Sequence, residues 1–214
     1  MDPKNLLKVA LPKGRLFSDV FNILLKAGFK LSKPPEKYFR VESKEKNILF
    51  KIFKNRDISP LVASGIYDLG FTSFDWIKEN RVEVVELLDL RCGVVKIVAA
   101  IHRDVLVSKL LTKKVVCATE YVHIASEFLD GMKLKYNIIP TSGSSESYPP
   151  EDSDMIIDIY NTGETVKKNN LKIWQELFTS SLRLIVNPKI YEQKGREVNS
   201  FKEKLWIALK GKSF

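Results

Sequence analysis

Cysteine and histidine are scarce in this sequence, and their scarcity narrows the class of protein. The 214 residues include two cysteines, Cys92 and Cys117, and two histidines, His102 and His123. Both cysteines lie in apolar surroundings, which argues against a disulfide scaffold and favours a reducing compartment. The scattered histidines and cysteines do not supply the ligand set of a structural zinc site. We therefore expect a fold that depends on its hydrophobic core.

Long apolar runs are also missing. No run approaches the ~18 apolar residues that a membrane-spanning helix requires. The N-terminal segment has neither the apolar centre nor the small-residue cleavage site of a signal peptide. The content of 44% hydrophobic and 29% charged residues is typical of a globular protein. Together these features predict a cytoplasmic protein without a membrane partner.

Negative charge is in deficit, because 35 lysines and arginines outnumber 26 acidic residues and leave a net charge of +9. The basic residues are spread along the chain, and no basic tract is interleaved with aromatics. A nucleic-acid partner is therefore the least favoured interpretation. Anionic small substrates are favoured, and the alternative is a lysine-rich surface that is merely solvated.

Apolar strand patterns alternate with amphipathic helix patterns along most of the chain, which predicts an α/β fold with largely parallel sheets. Ser18 and Ser59-Pro60 are predicted to open helices, whereas residues 30–47 show no regular pattern. A break near residue 93 separates two α/β halves. We predict two lobes with a ligand cleft, since ligands bind outside the carboxyl ends of such strands.

The most informative segment is residues 154–171. An apolar strand pattern, Met155–Tyr160, runs into the turn Thr162-Gly-Glu-Thr165. Backbone N–H groups at such a turn, together with threonine hydroxyls and the positive end of a following helix, suit a phosphate group. Gly163 lets the backbone approach the anion closely. The alternative interpretation is a surface turn with a capping threonine.

Two acids accompany this turn. Asp154 and Asp158 are four residues apart, so on a strand they share one face. Paired acids beside a phosphate site suit ribose hydroxyls or Mg²⁺. Glu146 ends a preceding loop of small residues, Thr141–Glu146, which is either a flexible connector or a further ligand contact.

Basic turns follow two other predicted strands. Lys13 and Arg15 flank a glycine between a strand and a helix, and Arg56 follows another strand; cations at such positions suit a polyphosphate. The alternative is a set of surface charges. Asp89 and Arg91 lie at the crossover near residue 93, where either hinge packing or substrate contact fits.

The ordered set of motifs resembles the catalytic chain of the ATP phosphoribosyltransferase family, which opens histidine biosynthesis. Each block is short, but the blocks occur in the family's order along nearly the whole chain. They are Lys8-Val-Ala-Leu-Pro-Lys-Gly-Arg-Leu16, Arg56-Asp-Ile-Ser-Pro-Leu-Val62 with Gly65 and Asp68-Leu-Gly70, Ala118-Thr-Glu-Tyr121, Ser142-Gly-Ser-Ser-Glu146, and Asp158 through Leu171.

The resemblance implies a fold and an assembly. The chain is similar to the family's short form, whose two lobes have mixed, mostly parallel sheets of the periplasmic-binding-protein type II architecture. The implied lobes are residues 1–93 with 184–214, and residues 94–183. The short form implies a homodimer inside a hetero-oligomer with a regulatory subunit related to histidyl-tRNA synthetase.

The resemblance also implies transfer of the 5-phosphoribosyl group of phosphoribosyl pyrophosphate (PRPP) to N1 of ATP, with release of pyrophosphate and with Mg²⁺ as cofactor. Catalytic roles are implied for Lys13, Arg15, Arg56 and Asp158. The implied ribose-phosphate contacts are Glu146, Asp154, Asp158, Asn161, Thr162, Gly163, Glu164 and Thr165. Arg15 and Asp89 are the implied nucleotide contacts, and Asp154 with Asp158 the implied Mg²⁺ ligands.

Two alternative functions stay open from the sequence. Another PRPP-dependent phosphoribosyltransferase would share the acidic strand and the Thr-Gly-x-Thr turn, without needing the Pro-Lys-Gly-Arg start. A catalytically inactive two-lobed ligand-binding or regulatory subunit would keep the fold and bind both substrates without turnover.

Overall fold

The computed structural model describes residues 6–35 and 37–211, apart from the side chain of Thr165. The chain divides into two compact units. The first unit contains residues up to Gly93 and those from Ser181 onward, and the second contains Val94–Ser180. The predicted return to the first unit at residue 184 is therefore too late. The chain returns before strand Leu182–Val186, which pairs with strands of the first unit.

Strands and helices alternate over most of the described residues. The strands are β1 Leu7–Pro12, β2 Leu31–Ser32, β3 Arg40–Ser43, β4 Ile48–Phe53, β5 Leu69–Ser73, β6 Val85–Asp89, β7 Val95–His102, β8 Val115–Thr119, β9 Tyr136–Pro140, β10 Met155–Tyr160, β11 Leu171–Ser180 and β12 Leu182–Val186. The helices are α1 Arg15–Lys26, α2 Asn55–Ala63, α3 Phe74–Asn80, α4 Val107–Leu110, α5 Val122–Gly131, α6 Glu164–Lys168, α7 Pro188–Gln193 and α8 Gly195–Lys210, with a 3₁₀ helix at Ser145–Ser147.

The first unit is built on a sheet whose strand order is β2-β3-β4-β1-β5-β12-β6. β1 is central and apolar on both faces, as expected of a strand covered by helices on each side. Helices α1 and α8 bury apolar stripes in the larger core cluster, including Val20 and Leu24 from α1 and Phe201 and Leu205 from α8. On the other face, Ile58 and Val62 of α2 pack with Ala10 and Ile185.

The second unit is built on a sheet with the order β11-β7-β10-β8-β9. β7 is a long apolar strand, with Ile97 to Ile101 fully buried or nearly so. Ala100, Ala118, Ile156 and Leu171 form one core cluster of this unit. Cys117 is buried, and both cysteines are free thiols. Burial raises the pKa of Cys117 to about 12.

The sheets are mixed, as predicted, but parallel pairings are the minority among the described strands. β1 pairs parallel with β4 and β5, and β8 pairs parallel with β9 and β10. The antiparallel pairings arise largely because β12 inserts between β5 and β6, and β7 between β11 and β10. β7 and β12 thus run antiparallel to both of their neighbours in the sheet. A local sequence pattern does not reveal the direction of a strand relative to its neighbours.

Three local predictions are wrong in position. α1 begins at Arg15 rather than at Ser18, after Gly14 with φ 76°. α2 begins at Asn55, so Pro60 lies inside the helix. Because Pro60 has no N–H, the Arg56 carbonyl lacks its helical donor, and it accepts a hydrogen bond from Asn80 Nδ2 at 2.8 Å instead. The irregular stretch 30–47 holds β2 and β3, which pair with each other and extend the sheet from β4.

Candidate active site

The carboxyl ends of β8, β9 and β10 meet at one edge of the second sheet, because these three strands are parallel. Thr119 ties them together: its hydroxyl donates to the Ile157 carbonyl at 2.6 Å and accepts from the Tyr121 N–H at 2.8 Å. The Thr141 N–H donates to the Thr119 carbonyl at 3.0 Å. The loops that follow β8, β9 and β10 therefore begin at the same end of the sheet, where hydrogen bonds of Thr119 connect the three strands.

The predicted phosphate turn lies between β10 and α6, with Asn161 and Thr162 exposed. Gly163 has φ 77°, and a Cβ at this position would lie 2.7 Å from the Tyr160 hydroxyl oxygen. Glycine suits this backbone conformation, and any larger residue would also require the Tyr160 ring to move. The Lys167 N–H donates to the Gly163 carbonyl at 3.0 Å, so the N–H groups of Glu164 and Thr165 precede the helical ladder.

Glu164 is exposed, and its carboxylate pairs with Lys168 one turn later at 3.6 Å. This pair is a solvent-facing contact along the helix rather than a ligand set. The hydroxyl predicted for Thr165 lies outside the described side chains. In the turn itself, the described features that suit an anion are the backbone conformation at Gly163 and the exposed Thr162.

Asp158 lies on β10 at the same edge and is partly buried. Its Oδ1 accepts the Ile159 N–H at 2.6 Å, and its Oδ2 accepts the Ser145 hydroxyl. Burial raises the pKa of Asp158 and nearby Glu146 raises it further, while the two hydrogen bonds oppose the rise. The structure thus brings the predicted Asp158 and Glu146 together. Ser145 is a neighbour that sequence reasoning missed.

The first sheet has an equivalent edge at the carboxyl ends of its parallel strands β4, β1 and β5. Asn55 braces it. Its Oδ1 accepts from the Thr72 hydroxyl at 3.0 Å and the Ser73 N–H at 3.2 Å, and its Nδ2 donates to the Ser73 hydroxyl at 2.7 Å. The Lys13 N–H donates to the Phe53 carbonyl at 2.7 Å, which joins the β1 and β4 ends.

The predicted cations of the first unit lie at this edge. Lys13 and Arg15 are exposed in the turn between β1 and α1, and the Lys13 ammonium lies 5.7 Å from the centre of the Phe39 ring. Arg56 is in the first turn of α2, with its Nε 3.8 Å from Asp57 Oδ1. Neighbouring parallel strands therefore place these three cations at one sheet edge, as their positions after strand patterns predict.

Comparison with known proteins relates this arrangement to one enzyme family. A protein-family model described as HisG: ATP phosphoribosyltransferase matches residues 54–206. An ATP phosphoribosyltransferase of Lysinibacillus sphaericus is 35% identical over 91% of this chain and 91% of the relative. One of a Geobacillus species is 33% identical over 94% of this chain and 97% of the relative. The chain belongs to the ATP phosphoribosyltransferase family.

A solved structure of an ATP phosphoribosyltransferase supports the fold. The chain in the ATP phosphoribosyl transferase (HisG:HisZ) complex from Thermotoga maritima is 28% identical, with a TM-score of 0.86. The similarity covers 96% of this chain and all of that chain. The predicted fold class, α/β with two mixed sheets and the periplasmic-binding-protein-like fold of ATP phosphoribosyltransferases, is confirmed.

Asp154 does not form the acidic pair predicted for this member of the ATP phosphoribosyltransferase family. It precedes β10, and its carboxylate binds Lys113 Nζ at 2.5 Å and the Val116 N–H at 2.9 Å. Asp158 lies four residues further along the strand, about 13 Å away at a rise of ~3.3 Å per residue. The two carboxylates therefore cannot share one Mg²⁺. Within the described chain, no group of three or more His, Cys, Asp or Glu side chains could hold a metal ion.

Asp89, predicted as a nucleotide contact of the transferase, is engaged at the crossover between the units. It accepts the Arg91 N–H at 2.8 Å and the Ser181 hydroxyl at 2.8 Å, and it lies 2.7 Å from Arg183 Nη1. Burial acts to raise the pKa of Asp89, but the Arg91 N–H, Ser181 and Arg183 outweigh it and lower the pKa. All three partners lie in the first unit, so these contacts join the end of β6 to β12 within that unit.

The residues of the transferase that sequence reasoning missed are Ser145 and Asn55. Both hold candidate groups or strand ends through side-chain hydrogen bonds to residues that are distant in sequence. A weak signal existed for each, since Ser145 lies in the small-residue loop and Asn55 follows a strand pattern. No helix in the described part of the chain is long and apolar enough to span a membrane.

Proposed function

We propose that the chain transfers the 5-phosphoribosyl group of PRPP to N1 of ATP and releases pyrophosphate, as the first step of histidine biosynthesis. The observation that carries the proposal is the juxtaposition of Asp158 with the Gly163 turn at one sheet edge, in a chain of the ATP phosphoribosyltransferase family. An acid that meets ribose hydroxyls and a turn that meets the 5′-phosphate are the two groups needed to fix a phosphoribosyl donor.

The turn supplies the phosphate contacts. The N–H groups that precede the α6 ladder have no helical acceptor, so they are available to phosphate oxygens. The proposed ligands are Asn161, the Thr162 hydroxyl, the Gly163 backbone, the backbone N–H of Glu164 and the Thr165 hydroxyl, the last on sequence grounds alone. The left-handed backbone conformation at Gly163, with the Tyr160 side chain beside it, is present in the structure without substrate.

Asp158 and Glu146 are proposed to contact the ribose. Departure of pyrophosphate from the anomeric carbon leaves an oxocarbenium-like sugar, and a fixed carboxylate on its hydroxyls orients it and stabilises its developing positive charge. Adenine N1 attacks with its own lone pair on the opposite side, so the anomeric centre inverts. This step requires no general base from the protein.

Lys13, Arg15 and Arg56 are proposed to neutralise the pyrophosphate or triphosphate oxygens. The nucleotide role predicted for Asp89 is not part of the proposal, because its charge is neutralised by Arg183. Asp154 is omitted because its charge is neutralised by Lys113.

Mg²⁺ is proposed to arrive with the substrate. Mg²⁺ would supply positive charge that makes the pyrophosphate a better leaving group. The donor set fits this use, because Mg²⁺ is commonly held by one or two carboxylates together with substrate phosphates and water. Asp158 with Glu146 can offer such carboxylates, whereas a cage made by protein side chains alone is missing from the described residues.

The test is turnover by the purified chain. We expect the chain to form a ribosylated nucleotide from ATP and PRPP in the presence of Mg²⁺, and the ultraviolet absorbance of this product measures the reaction. Free nucleobases should not replace ATP. Product from free purine or orotate would favour another phosphoribosyltransferase. Binding of both substrates without turnover, even with a regulatory subunit added, would favour an inactive ligand-binding subunit.

We also propose a regulatory partner. The Thermotoga maritima structure is named as a HisG:HisZ complex, and the similarity covers all of that chain. By this relation the chain forms a hetero-oligomer with a HisZ subunit, with a catalytic homodimer inside it. The test of this assembly is to co-purify the chain with the HisZ subunit of its own organism and to measure the mass of the complex.

A further inference from the structure

The hydrogen bond between Ser145 and Asp158 joins two loops of the second unit. Ser145 opens the 3₁₀ helix Ser145–Ser147 and is 1% exposed, and its hydroxyl donates to Asp158 Oδ2. The other oxygen, Oδ1, accepts the Ile159 N–H at 2.6 Å. With one donor on each oxygen, the carboxylate is held in a single orientation, and each oxygen keeps a lone pair for a ligand.

The remaining charged groups around Asp158 do not provide this support. Glu146, from the same 3₁₀ helix, has the same sign of charge and raises the pKa of Asp158. Tyr160 lies two residues further on the same strand face, and Lys96 of β7 stands opposite it. The Lys96 ammonium is engaged by Glu176 of β11 at 2.6 Å. Ser145 and the Ile159 N–H are therefore the groups that favour the ionised carboxylate.

We propose that Ser145 is a positioning residue that aims the Asp158 carboxylate at the ribose hydroxyls of the substrate. The inference rests on the proposed function, because it gives Asp158 the ribose as its ligand. In the folded chain the serine hydroxyl fixes the carboxylate before binding, so the orientation cost is not incurred when the substrate arrives. A buried hydroxyl with its donor directed at the acid is suited to this task.

The test compares three variants. Ser145→Ala removes the hydroxyl, and Ser145→Cys keeps the side-chain volume with a weaker donor. Ser147→Ala is the matched control: this exposed serine lies in the same 3₁₀ helix, but its hydroxyl donates to the Ser144 carbonyl at 2.9 Å. We expect both Ser145 variants to raise the KM for PRPP about 10-fold, as loss of a hydrogen bond to a charged group predicts, and to leave the KM for ATP unchanged.

The pH profile provides a second readout that a merely structural serine would not change. Ser145 lowers the pKa of Asp158, so its removal raises that pKa further. More of the acid is then protonated at any given pH, so the acid limb of kcat/KM for PRPP moves to higher pH. The Ser147→Ala limb is expected to coincide with the wild-type limb.

Two measurements keep this inference separate from the proposed function. Carboxyl ¹³C NMR titration of Asp158 and calorimetry with ribose 5-phosphate do not depend on turnover. If the wild-type chain lacks activity, the proposed function fails, and these two measurements still decide the role of Ser145. The inference is overturned if Ser145→Ala and Ser145→Cys leave the titration and the ribose 5-phosphate affinity unchanged, or if Ser147→Ala changes them equally.

Discussion

At the scale of single residues, Asp154 and Asp158 show that the surroundings of a side chain decide its role. Both belong to one acidic segment, and the sequence presents them as equivalent. Asp154 is engaged by Lys113 and the Val116 N–H, which anchor the start of β10 to β8. Asp158 lies at the other end of the strand with a neutral hydroxyl and one N–H. Both carboxylates are held by one donor on each oxygen, but the charge of Asp154 is neutralised by Lys113, whereas the donors to Asp158 are neutral and leave its charge for a ligand.

This difference makes an asparagine pair a sharp test. We expect Asp158→Asn to lower kcat/KM for PRPP about 100-fold, the order seen when one fixed electrostatic group is removed from a transition state. Asp154→Asn should leave the KM for PRPP within about twofold, because it removes an ion pair worth about 1 kcal/mol or less. Steady-state kinetics and melting temperatures of both variants check this. If Asp154→Asn and Asp158→Asn lose activity equally, Asp154 also contacts the substrate and the assignment made here is wrong.

Gly163 offers a test of the phosphate turn. Gly163→Ala would place Cβ 2.7 Å from the Tyr160 hydroxyl oxygen at a φ of 77°, so either the Tyr160 side chain or the turn must move, and the backbone is strained in both cases. We expect the KM for PRPP to rise about 10- to 100-fold, because small displacements of a binding group have effects of this size.

The matched control for Gly163 is Gly28→Ala. Gly28 has φ 87° with open space around it, and it follows α1 in the first unit. The control should reduce the free energy of unfolding by about 1 kcal/mol and leave the KM unchanged. If both alanine variants bind ribose 5-phosphate as the wild type does, the turn is not the phosphate site.

At the scale of elements, side-chain amides connect the ends of strands and helices. Asn55 joins the β4 and β5 ends, and Asn187 joins two helices. Asn187 Nδ2 donates to the Val62 and Ala63 carbonyls at 3.0 and 2.9 Å, at the end of α2. Its Oδ1 accepts the Ile190 N–H at 3.1 Å, as the N-cap of α7. One buried side chain thus satisfies the ends of two helices that are far apart in sequence.

We expect Asn187→Ala to lower the free energy of unfolding by about 3 kcal/mol, because it removes a cap and leaves buried carbonyls without donors. Asn187→Asp keeps the acceptor but loses the donors, so its loss should also be large. Asn137→Ala, at an exposed position of β9, is the control and should stay within about 0.5 kcal/mol. Urea denaturation measures all three. A loss at Asn187 no larger than at Asn137 would contradict the double-cap assignment.

At the scale of the whole molecule, the chain leaves the first unit at Gly93 and re-enters it at Ser181. The returning segment is held to the start of the chain by charge. Lys194 Nζ donates to the Leu6 carbonyl at 2.9 Å and lies 3.1 Å from Asp68 Oδ1. Asp68 also accepts the Lys8 N–H at 2.7 Å, and its side chain is 5% exposed. A buried ion pair therefore joins β1, β5 and the helices after β12.

Removing the cation alone should be costly. We expect Lys194→Met to lower the free energy of unfolding by about 3–5 kcal/mol, because Asp68 would stay buried without a counter-charge. The exposed Lys189→Met, in the neighbouring helix, is the control and should have little effect. Adding Asp68→Asn to Lys194→Met should recover part of the loss. Chemical denaturation of the wild type, Lys194→Met, Asp68→Asn, the double variant and Lys189→Met measures this, and additive losses in the double variant would argue against the pair.

Part of the element pattern could be predicted, since strands and helices alternate as expected and β10 occupies the range Met155–Tyr160 that its apolar pattern indicates. α2 could not be bounded correctly, because Pro60 is tolerated inside it once Asn80 takes over the freed Arg56 carbonyl. The antiparallel insertion of β12 was also out of reach, because the pairing partners of a strand are not encoded in its own pattern.

The sequence by itself determined the family, the alternation of strands and helices, and the Gly163 turn, because each depends on residues that are close along the chain. Tertiary structure decided which acid is left to bind a ligand, and it brought Ser145 to Asp158 and Asn55 to the end of β5. The physical reason is that hydrogen-bond and ion-pair partners are chosen by proximity in space. Lys113 is 41 residues from the acid it binds, and no local pattern specifies that distance.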